Sequence, residues 1–331
     1  EISCSLVGSE MCIRDSHDWL IYQAQDLYED GTGWYRKQFS WEKKEGEQVV
    51  LRFDGIYMDS TIYVNKKEVC QWKYGYSTFE VEITEFLQNG ENELLVSANF
   101  QAPNSRWYSG AGIYRDVWLK TRGREHLVSD GIYFSGKLLE NNCWNVEIET
   151  EIVGRNLTLD YALRRKGTEA WSMLTGNEKS TEADKESKVL FQCTVQDPAV
   201  WDIAHPHCYE LRVRLKRDEE ILDSQIQTVG FRTLGFNPDK GFLLNGRKVK
   251  LQGVCEHHDL GCLGAAYHSQ AMRRKFEILK DMGVNAVRTS HNMPAPDLME
   301  MADEMGILIV SESFDMWESS KTPYDLSLIH I

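Results

Sequence analysis

Short runs of alternating apolar and polar residues fill the chain from residue 33 to residue 122. Alternation with a period of two is typical of strands that bury one face. Turn residues such as Asp54-Gly55 and Asn65-Lys66 separate the runs. The pattern predicts an antiparallel β-sandwich, with candidate strands GWYRKQFSW, QVVLRFDGIYMDSTIYVNKKEV, STFEVEITEFL, ENELLVSANF and YRDVWLKT.

A second all-β stretch follows at about residues 125–232, where six further alternating runs occur. Its length suits an immunoglobulin-like β-sandwich, which takes about 100 residues. The candidate strands of this second sandwich are DGIYFSGKLL, WNVEIETEIV, LTLDYALRR, SKVLFQCTV, YELRVRLKR and ILDSQIQTVGFRT.

After these sandwiches the apolar spacing switches between that of strands and that of helices. Three strands alternating with two helices predict a parallel βα array, and about three-eighths of a (β/α)₈ TIM barrel would be present. The predicted elements are a strand at 248–255, a helix at 269–283, a strand at 285–290, a helix at 295–306 and a strand at 307–314. The apolar stripe of the first helix is Met272, Phe276, Leu279 and Met282, and Gly283 and Gly306 follow the two helices as C-caps.

Both ends of the chain lack this regularity. The first sixteen residues show neither helical nor strand periodicity. These residues, and LSLIHI at the other end of the chain, resemble translated adaptor sequences. The predicted organisation is a non-native scar at 1–16, an N-terminally truncated sandwich at 17–123, an immunoglobulin-like sandwich at 124–233, the opening of a barrel at 234–325 and a second scar at 326–331.

Composition narrows the classes of function. The net charge is −14, from 37 basic and 51 acidic residues, and it leaves no basic stripe for nucleic acid. The longest apolar runs are far shorter than the ~20 residues of a membrane span, so no membrane partner is expected. Ten tryptophans and fourteen tyrosines exceed what a core requires. Sugars stack on such rings, although burial accounts for most of them.

The cysteines predict no disulfide framework. Eight are present without a CxxC pair, and a chain of this size does not need cross-links. Free thiols favour a reducing compartment such as the cytoplasm. No secretory signal is visible, but we expect the true N-terminus to be missing.

The candidate chemistry lies at the carboxyl ends of the three barrel strands, where βα barrels form their active sites. Polar residues follow all three strands, and this agreement is stronger evidence for an active site than any single motif. These residues are Cys255, Glu256, His257, His258 and Asp259 after the first strand, Arg288, Thr289, Ser290, His291 and Asn292 after the second, and Glu312, Ser313, Phe314, Asp315 and Trp317 after the third.

His257 and His291 have more than one interpretation. Each could be a buried imidazole bonded to the backbone, but the position at a strand end favours contact with a substrate. Both histidines with Glu312 or Asp259 could also form a metal site. His257 and His258 cannot both reach one ion, because adjacent residues of an extended strand point to opposite faces.

Arg288 ends an apolar strand, where an unpaired guanidinium is costly to bury, so we expect a carboxylate partner nearby. An arginine beside a nucleophilic carboxylate would also keep that carboxylate ionised. Glu312 lies on the adjacent predicted strand and is our choice of structural partner.

Residues 250–317, which include GVCEHHDLG and NAVRTSHN, resemble the start of the barrel in glycoside hydrolase family 2. GTGWYRKQF, RWYSGAGIYRDVWL and VGFRT are similar to the family's jelly-roll sugar-binding domain and to the exit from its second sandwich. The resemblance covers residues 17–325. The HHDLG sequence resembles the β-galactosidase branch rather than the β-glucuronidase branch.

The resemblance implies roles for individual residues. His257 and His291 would line the subsite for the non-reducing sugar, Asn292 would shape the same wall, and Arg288 would pair with the nucleophile of the complete enzyme. Arg106 and Trp107 match a loop of the first domain that reaches over the barrel mouth. The supporting residues are His258, Asp259, Glu312, Asp315 and Trp317.

The sequence departs from the family pattern at three positions. Glu256 stands where many relatives have Asn, and Met293 stands where many have Pro. Some members bind magnesium just after the third strand, but Met316 occupies the ligand position here. We therefore predict no metal or other cofactor.

Family members are retaining exo-hydrolases with an acid/base glutamate on the fourth barrel strand and a nucleophilic glutamate on the seventh. The resemblance thus implies part of an enzyme that hydrolyses terminal β-D-galactosyl residues from a β-galactoside or related oligosaccharide by double displacement. We predict that these 331 residues alone are inactive. The complete enzyme could form a homo-oligomer. The alternatives are a β-glucuronidase or β-mannosidase of the same family and a non-catalytic carbohydrate-binding module.

Overall fold

The computed structural model describes residues 3–4, 9–14, 16–22, 29–102, 104, 108–182 and 186–313. These residues form two antiparallel β-sandwiches, a small connecting sheet and three parallel strands with two helices. The fold class predicted from the sequence is therefore confirmed. Neither helix in the described part of the chain has the length and apolar character needed to cross a membrane.

The first sandwich is built from the strands β1 (Ser3–Cys4), β2 (Ser9–Arg14), β3 (Gly31–Trp41), β4 (Glu47–Phe53), β5 (Ile56–Tyr57), β6 (Ser60–Val64), β7 (Lys67–Trp72), β8 (Phe79–Glu82), β9 (Gly90–Phe100), β10 (Gly112–Ile113) and β11 (Val117–Gly123), with 3₁₀ turns at Leu20–Tyr22 and Thr84–Phe86. A sheet of order β1-β2-β11-β4-β8 packs against one of order β3-β9-β6-β7, with a short β5–β10 pair beside them. The core lies between the sheets, where Leu51, Ile62 and Val64 are fully buried. Residues 9–14 lie in the segment that was predicted to be a non-native scar without strand periodicity, but they form β2, which pairs with β11.

The second sandwich is built from the strands β12 (His126–Leu138), β13 (Cys143–Val153), β14 (Thr158–Arg165), β15 (Ser172–Met173), β16 (Gly176–Glu182), β17 (Glu186–Gln196), β18 (Tyr209–Arg217) and β19 (Glu220–Val229). A sheet of order β12-β13-β17-β16 packs against one of order β15-β14-β18-β19. Trp144, Tyr161 and Phe231 fill the centre between them. All six runs predicted here form strands, and the structure adds β15 and β16.

A small antiparallel sheet leads from the second sandwich into the barrel segment. It consists of β20 (Leu234–Asn237), β21 (Gly241–Leu244) and β22 (Arg247–Lys248). The single strand predicted at 248–255 is wrong, because the chain changes partner within it. Val249 still donates to the Phe242 carbonyl, whereas Gln252 already bonds to the side chain of Asn285.

The barrel segment consists of β23 (Gly253–Glu256), α1 (Ser269–Asp281), β24 (Ala286–Thr289), α2 (Pro296–Met305) and β25 (Leu308–Val310), with a 3₁₀ turn at Gly261–Leu263. The three strands are parallel, in the order β23-β24-β25. Gly283 and Gly306 have φ values of 87° and 71°, which confirms the predicted C-caps. Met282 does not belong to the buried stripe: it is 71% exposed, because α1 ends just before it.

The second sandwich contacts the barrel segment at helix α2. The indole of Trp201 donates to the Asp303 carbonyl at 2.7 Å, and Lys166 pairs with Glu304 at 2.7 Å. Gly306 lies so close to the Ile203 carbonyl that a Cβ at this position would come within 2.3 Å of its oxygen. The sandwich thus holds the helix end that leads into β25.

Candidate active site

The parallel register brings the ends of the three barrel strands to one edge of the sheet. Cys255 pairs with Arg288, and Arg288 in turn pairs with Val310. Polar residues that follow these positions therefore lie beside one another, as the sequence indicated. The carboxyl edge of such a sheet is where βα barrels bind their substrates.

Arg288, His291 and Glu312 form a hydrogen-bonded cluster at this edge. Arg288 donates from Nε to Glu312 Oε1 at 2.6 Å, and its Nη2 lies 2.5 Å from the same oxygen. His291 Nδ1 lies 2.9 Å from Glu312 Oε2. The pairing of Arg288 with Glu312, expected from the sequence, is present. Because an ionised carboxylate can only accept, we assign the proton of this contact to Nδ1 of His291, which also lies 3.2 Å from Nη2 of Arg288.

The cluster keeps Glu312 in its charged form. Partial burial opposes ionisation, but hydrogen bonds and charge from Arg288 and His291 hold the pKa of Glu312 below its usual range. The same neighbourhood affects Cys255, whose pKa is lowered by hydrogen bonds from Ser290 and Arg288. Glu312 is therefore suited to orient its neighbours and not to donate a proton at neutral pH.

His257 joins this cluster, whereas His258 turns away from it. The ring of His257 meets that of His291 edge-on at a centroid distance of 5.7 Å. His258 has a φ of 71° and packs its ring against Tyr114 and Tyr76 of the first sandwich, at 4.6 and 5.6 Å. The two adjacent histidines thus contact different parts of the structure: His257 the strand-end cluster and His258 the first sandwich.

Asn292 lies behind the cluster. It is buried and lines a small cavity of about 20 Å³, together with Glu256, His258 and Thr289. A cavity of this size holds roughly one water molecule. His257, Arg288 and His291 do not line it, so the structure places Asn292 on the inner side of the strand-end wall.

An ion pair between the buried Glu256 and the half-buried Lys275, which the sequence did not indicate, supports the loop after β23. Lys275 on α1 donates to both carboxylate oxygens of Glu256 at 2.8 Å and to the Asp259 carbonyl at 2.6 Å. Asp259 therefore contributes through its backbone. The unusual Glu at position 256 was the available signal, but nothing in the sequence identified Lys275 as its partner.

The remaining predicted site residues cannot be placed. Arg106, Trp107, Asp315 and Trp317 lie outside the described residues, as does Met316. Among the residues that are described, no group of three or more His, Cys, Asp or Glu side chains is arranged to hold a metal ion. The roles of these four residues stay predictions.

Two sandwiches that lead into the opening strands of a βα barrel, with a polar cluster at the strand ends, are the architecture expected of a multidomain glycoside hydrolase. Three successive parts of the chain match glycosyl hydrolases family 2: the sugar binding domain over residues 19–123, the central family domain over 129–232 and the TIM barrel domain over 238–323. The chain belongs to glycoside hydrolase family 2.

Individual relatives agree with this assignment. The chain is 40% identical over 304 residues to the β-galactosidase BoGH2A of Bacteroides ovatus, which covers 89% of the chain and 36% of that protein. A solved family 2 member from Bacteroides cellulosilyticus is 33% identical with a TM-score of 0.83, covering 92% of the chain and 44% of that structure. The β-glucuronidase of Bacteroides uniformis is 27% identical with a TM-score of 0.83, covering 96% and 43%. The chain thus spans less than half the length of these relatives.

Proposed function

We propose that the chain is part of a retaining exo-β-glycosidase that releases terminal β-D-galactosyl residues, with His257, Arg288, His291 and Glu312 forming one wall of the subsite for the non-reducing sugar. The observation that carries the proposal is the hydrogen-bonded cluster of Arg288, His291 and Glu312 at the carboxyl edge of the barrel strands. The 40% identity to a β-galactosidase favours the galactoside over the glucuronide.

In this proposal Glu312 orients its two neighbours. When the ring of His291 is neutral, its bond from Nδ1 to Glu312 leaves Nε2 as the acceptor for a sugar hydroxyl. A guanidinium has five N–H donors, and Glu312 takes one from Nε and one from Nη2 of Arg288. Nη1 donates to Cys255 Sγ at 3.6 Å, and we assign its second hydrogen to another carboxylate, the nucleophile that family resemblance places on the seventh barrel strand.

The chemistry of the complete enzyme follows from two carboxylates about 5 Å apart. One glutamate protonates the leaving oxygen while the other attacks the anomeric carbon, and water then hydrolyses the glycosyl-enzyme with the first glutamate acting as base. Arg288 stabilises the charge of the attacking carboxylate and keeps it unprotonated. Because both glutamates belong to later strands, we expect no turnover by the 331-residue chain.

Two assays test the proposal. Purified 331-residue chain should leave a nitrophenyl β-galactoside intact, and robust hydrolysis would contradict the assignment of catalysis to later strands. Recovery of the reading frame beyond Asp325 should reveal two glutamates at later strand ends. The protein read from that frame should prefer the β-galactoside, whereas preference for a β-glucuronide or β-mannoside would reassign the sugar, and absence of both glutamates would leave only a binding module.

A further inference from the structure

Arg115, in the loop between β10 and β11 of the first sandwich, is buried to 2% exposure. Its described acceptors are three backbone carbonyls: Met293 at 2.7 Å from Nη2, and Asp54 and Tyr76 at 3.3 Å from Nη1. Burying a guanidinium against neutral carbonyls costs more desolvation than burying an apolar side chain of similar size. The arginine nevertheless fixes the positions of these carbonyls, because the donors of its planar guanidinium point in set directions.

The local sequence holds Arg115 in this position. A Cβ at Gly55 would come 2.7 Å from the Tyr114 ring and 3.0 Å from Arg115 Cδ, so only glycine lets the two side chains lie over the Asp54-Gly55 turn. The hydroxyl of Tyr114 donates to the Gly75 carbonyl at 2.8 Å. Tyr114 and Arg115 are therefore fixed by the sandwich itself.

These two residues contact the loops that follow the first two barrel strands. Met293, the acceptor of Arg115, lies two residues after His291. The Tyr114 ring meets His258, the neighbour of His257, and the Tyr114 carbonyl accepts from the Tyr267 amide at 2.8 Å. A single dipeptide of the sandwich thus reaches both loops that carry the candidate sugar-binding histidines.

A third contact reaches the end of the third barrel strand. The hydroxyl of Tyr74 donates to the Ser313 carbonyl at 2.6 Å, next to Glu312. All three strand ends are therefore held by backbone hydrogen bonds or ring contacts from one edge of the sandwich. We name this edge, formed by Tyr74, Tyr114 and Arg115, the sandwich clamp.

We propose that Arg115 is a positioning residue that sets, through the Met293 carbonyl, where His291 stands relative to His257. The inference rests on the proposed function in so far as these histidines bind sugar. The first sandwich then acts on the sugar subsite by placing the strand-end loops, in addition to any contact that it makes with a substrate.

The test is histidine NMR on the 331-residue chain, with signals assigned by single His→Gln variants. In Arg115→Met, the imidazole signals of His258 and His291 should move while those of His205 and His207 in the second sandwich stay in place. Arg122→Met is the matched control, because Arg122 bonds to Gln48 within the same sandwich and lies on β11 away from the clamp. It should leave His258 and His291 unchanged.

Two further readouts keep the result decisive. If Arg115→Met fails to fold, Arg115→Lys can replace it. This variant keeps the positive charge but loses the planar array of donors, so the signals of His258 and His291 should again move. Unmoved His258 and His291 signals in a folded Arg115 variant would overturn the proposal.

Titration with galactose tests the function separately: Arg115→Met should bind about fivefold more weakly than wild type. Wild-type chain that gives no response to galactose would refute the sugar subsite, while the signal shifts alone decide the positioning role.

Discussion

Arg288 and Glu312 lie 2.5 Å apart, Nη2 to Oε1, at the ends of two neighbouring parallel strands, and His291 closes the cluster from the other carboxylate oxygen. Two residues 24 positions apart in the chain thus become one unit. The charge of Glu312 fixes both the guanidinium and the ring tautomer that we assign to sugar binding. Its removal is the most direct perturbation of the site.

Glu312→Gln should weaken galactose binding and change how stability depends on pH. The pKa of Glu312 is lowered in the folded chain, so its ionised form stabilises the fold. That contribution is complete above the ordinary glutamate pKa of 4.5 and is lost as the pH falls through the lowered value. Denaturation at pH 3–7 should show a constant deficit for Glu312→Gln above about pH 5 that shrinks in acid. Glu91→Gln, on the exposed end of β9, should show no such change, and a pH-independent deficit at position 312 would contradict the ion pair.

Lys275→Met should destabilise the chain by about 3 kcal/mol, because it leaves the carboxylate of Glu256 buried without its cation. The double variant Glu256→Leu, Lys275→Met removes both charges and should recover most of that loss. Lys280→Met is the control: its ammonium also bonds to a carbonyl, that of Met305, but at an exposed site, so we expect a change of about 0.5 kcal/mol or less. Urea unfolding measures all three, and equal losses at positions 275 and 280 would refute the buried pair.

Gly306→Ala should be more damaging than Gly283→Ala. Both glycines end a helix with positive φ, which strains any other residue by about 1–2 kcal/mol. A Cβ at Gly306 would also lie 2.3 Å from the Ile203 carbonyl oxygen, whereas at Gly283 it meets open space. We expect losses of about 3 and about 1 kcal/mol in the free energy of unfolding. Equal losses would show that the second sandwich does not pack closely against the end of α2 at Gly306.

Cys255 should be the most easily alkylated of the cysteines whose pKa values are shifted. Hydrogen bonds from Ser290 and Arg288 lower the pKa of Cys255, while burial raises the pKa of Cys193 and of Cys208 to about 11. Mass spectrometry after brief iodoacetamide treatment at neutral pH should find Cys255 labelled and the two buried thiols intact. Galactose should slow the labelling, since the thiol lies beside Arg288. Labelling that is indifferent to galactose would argue against a sugar at this edge.

The sequence predicted the fold well wherever periodicity reports burial. Alternating runs became strands in both sandwiches, and the switch to helical spacing marked α1 and α2. The prediction failed at residues 249–252, where the chain leaves one sheet for another while its apolar pattern continues. Met282 was misassigned because helical spacing does not say where the helix stops.

The same distinction applies to the site. Arg288 and Glu312 could be paired from the sequence, because the carboxyl ends of adjacent parallel strands must meet. Lys275 and Arg115 could not, since their contacts depend on how a helix and a whole sandwich dock on the strand ends. Arg115 and Met293 are separated by 178 positions, and no local pattern links them.

In the proposed function, this chain supplies the sugar-binding wall of a β-galactosidase. The most direct test is the ratio of kcat/KM for nitrophenyl β-galactoside to that for nitrophenyl β-glucuronide, measured on the enzyme read from the extended frame and on its Arg288→Met variant. We expect the galactoside to be preferred, and the variant to lose about a hundredfold or more in kcat/KM because the nucleophile loses its charge partner. Preference for the glucuronide, or an Arg288→Met variant as active as wild type, would contradict the account.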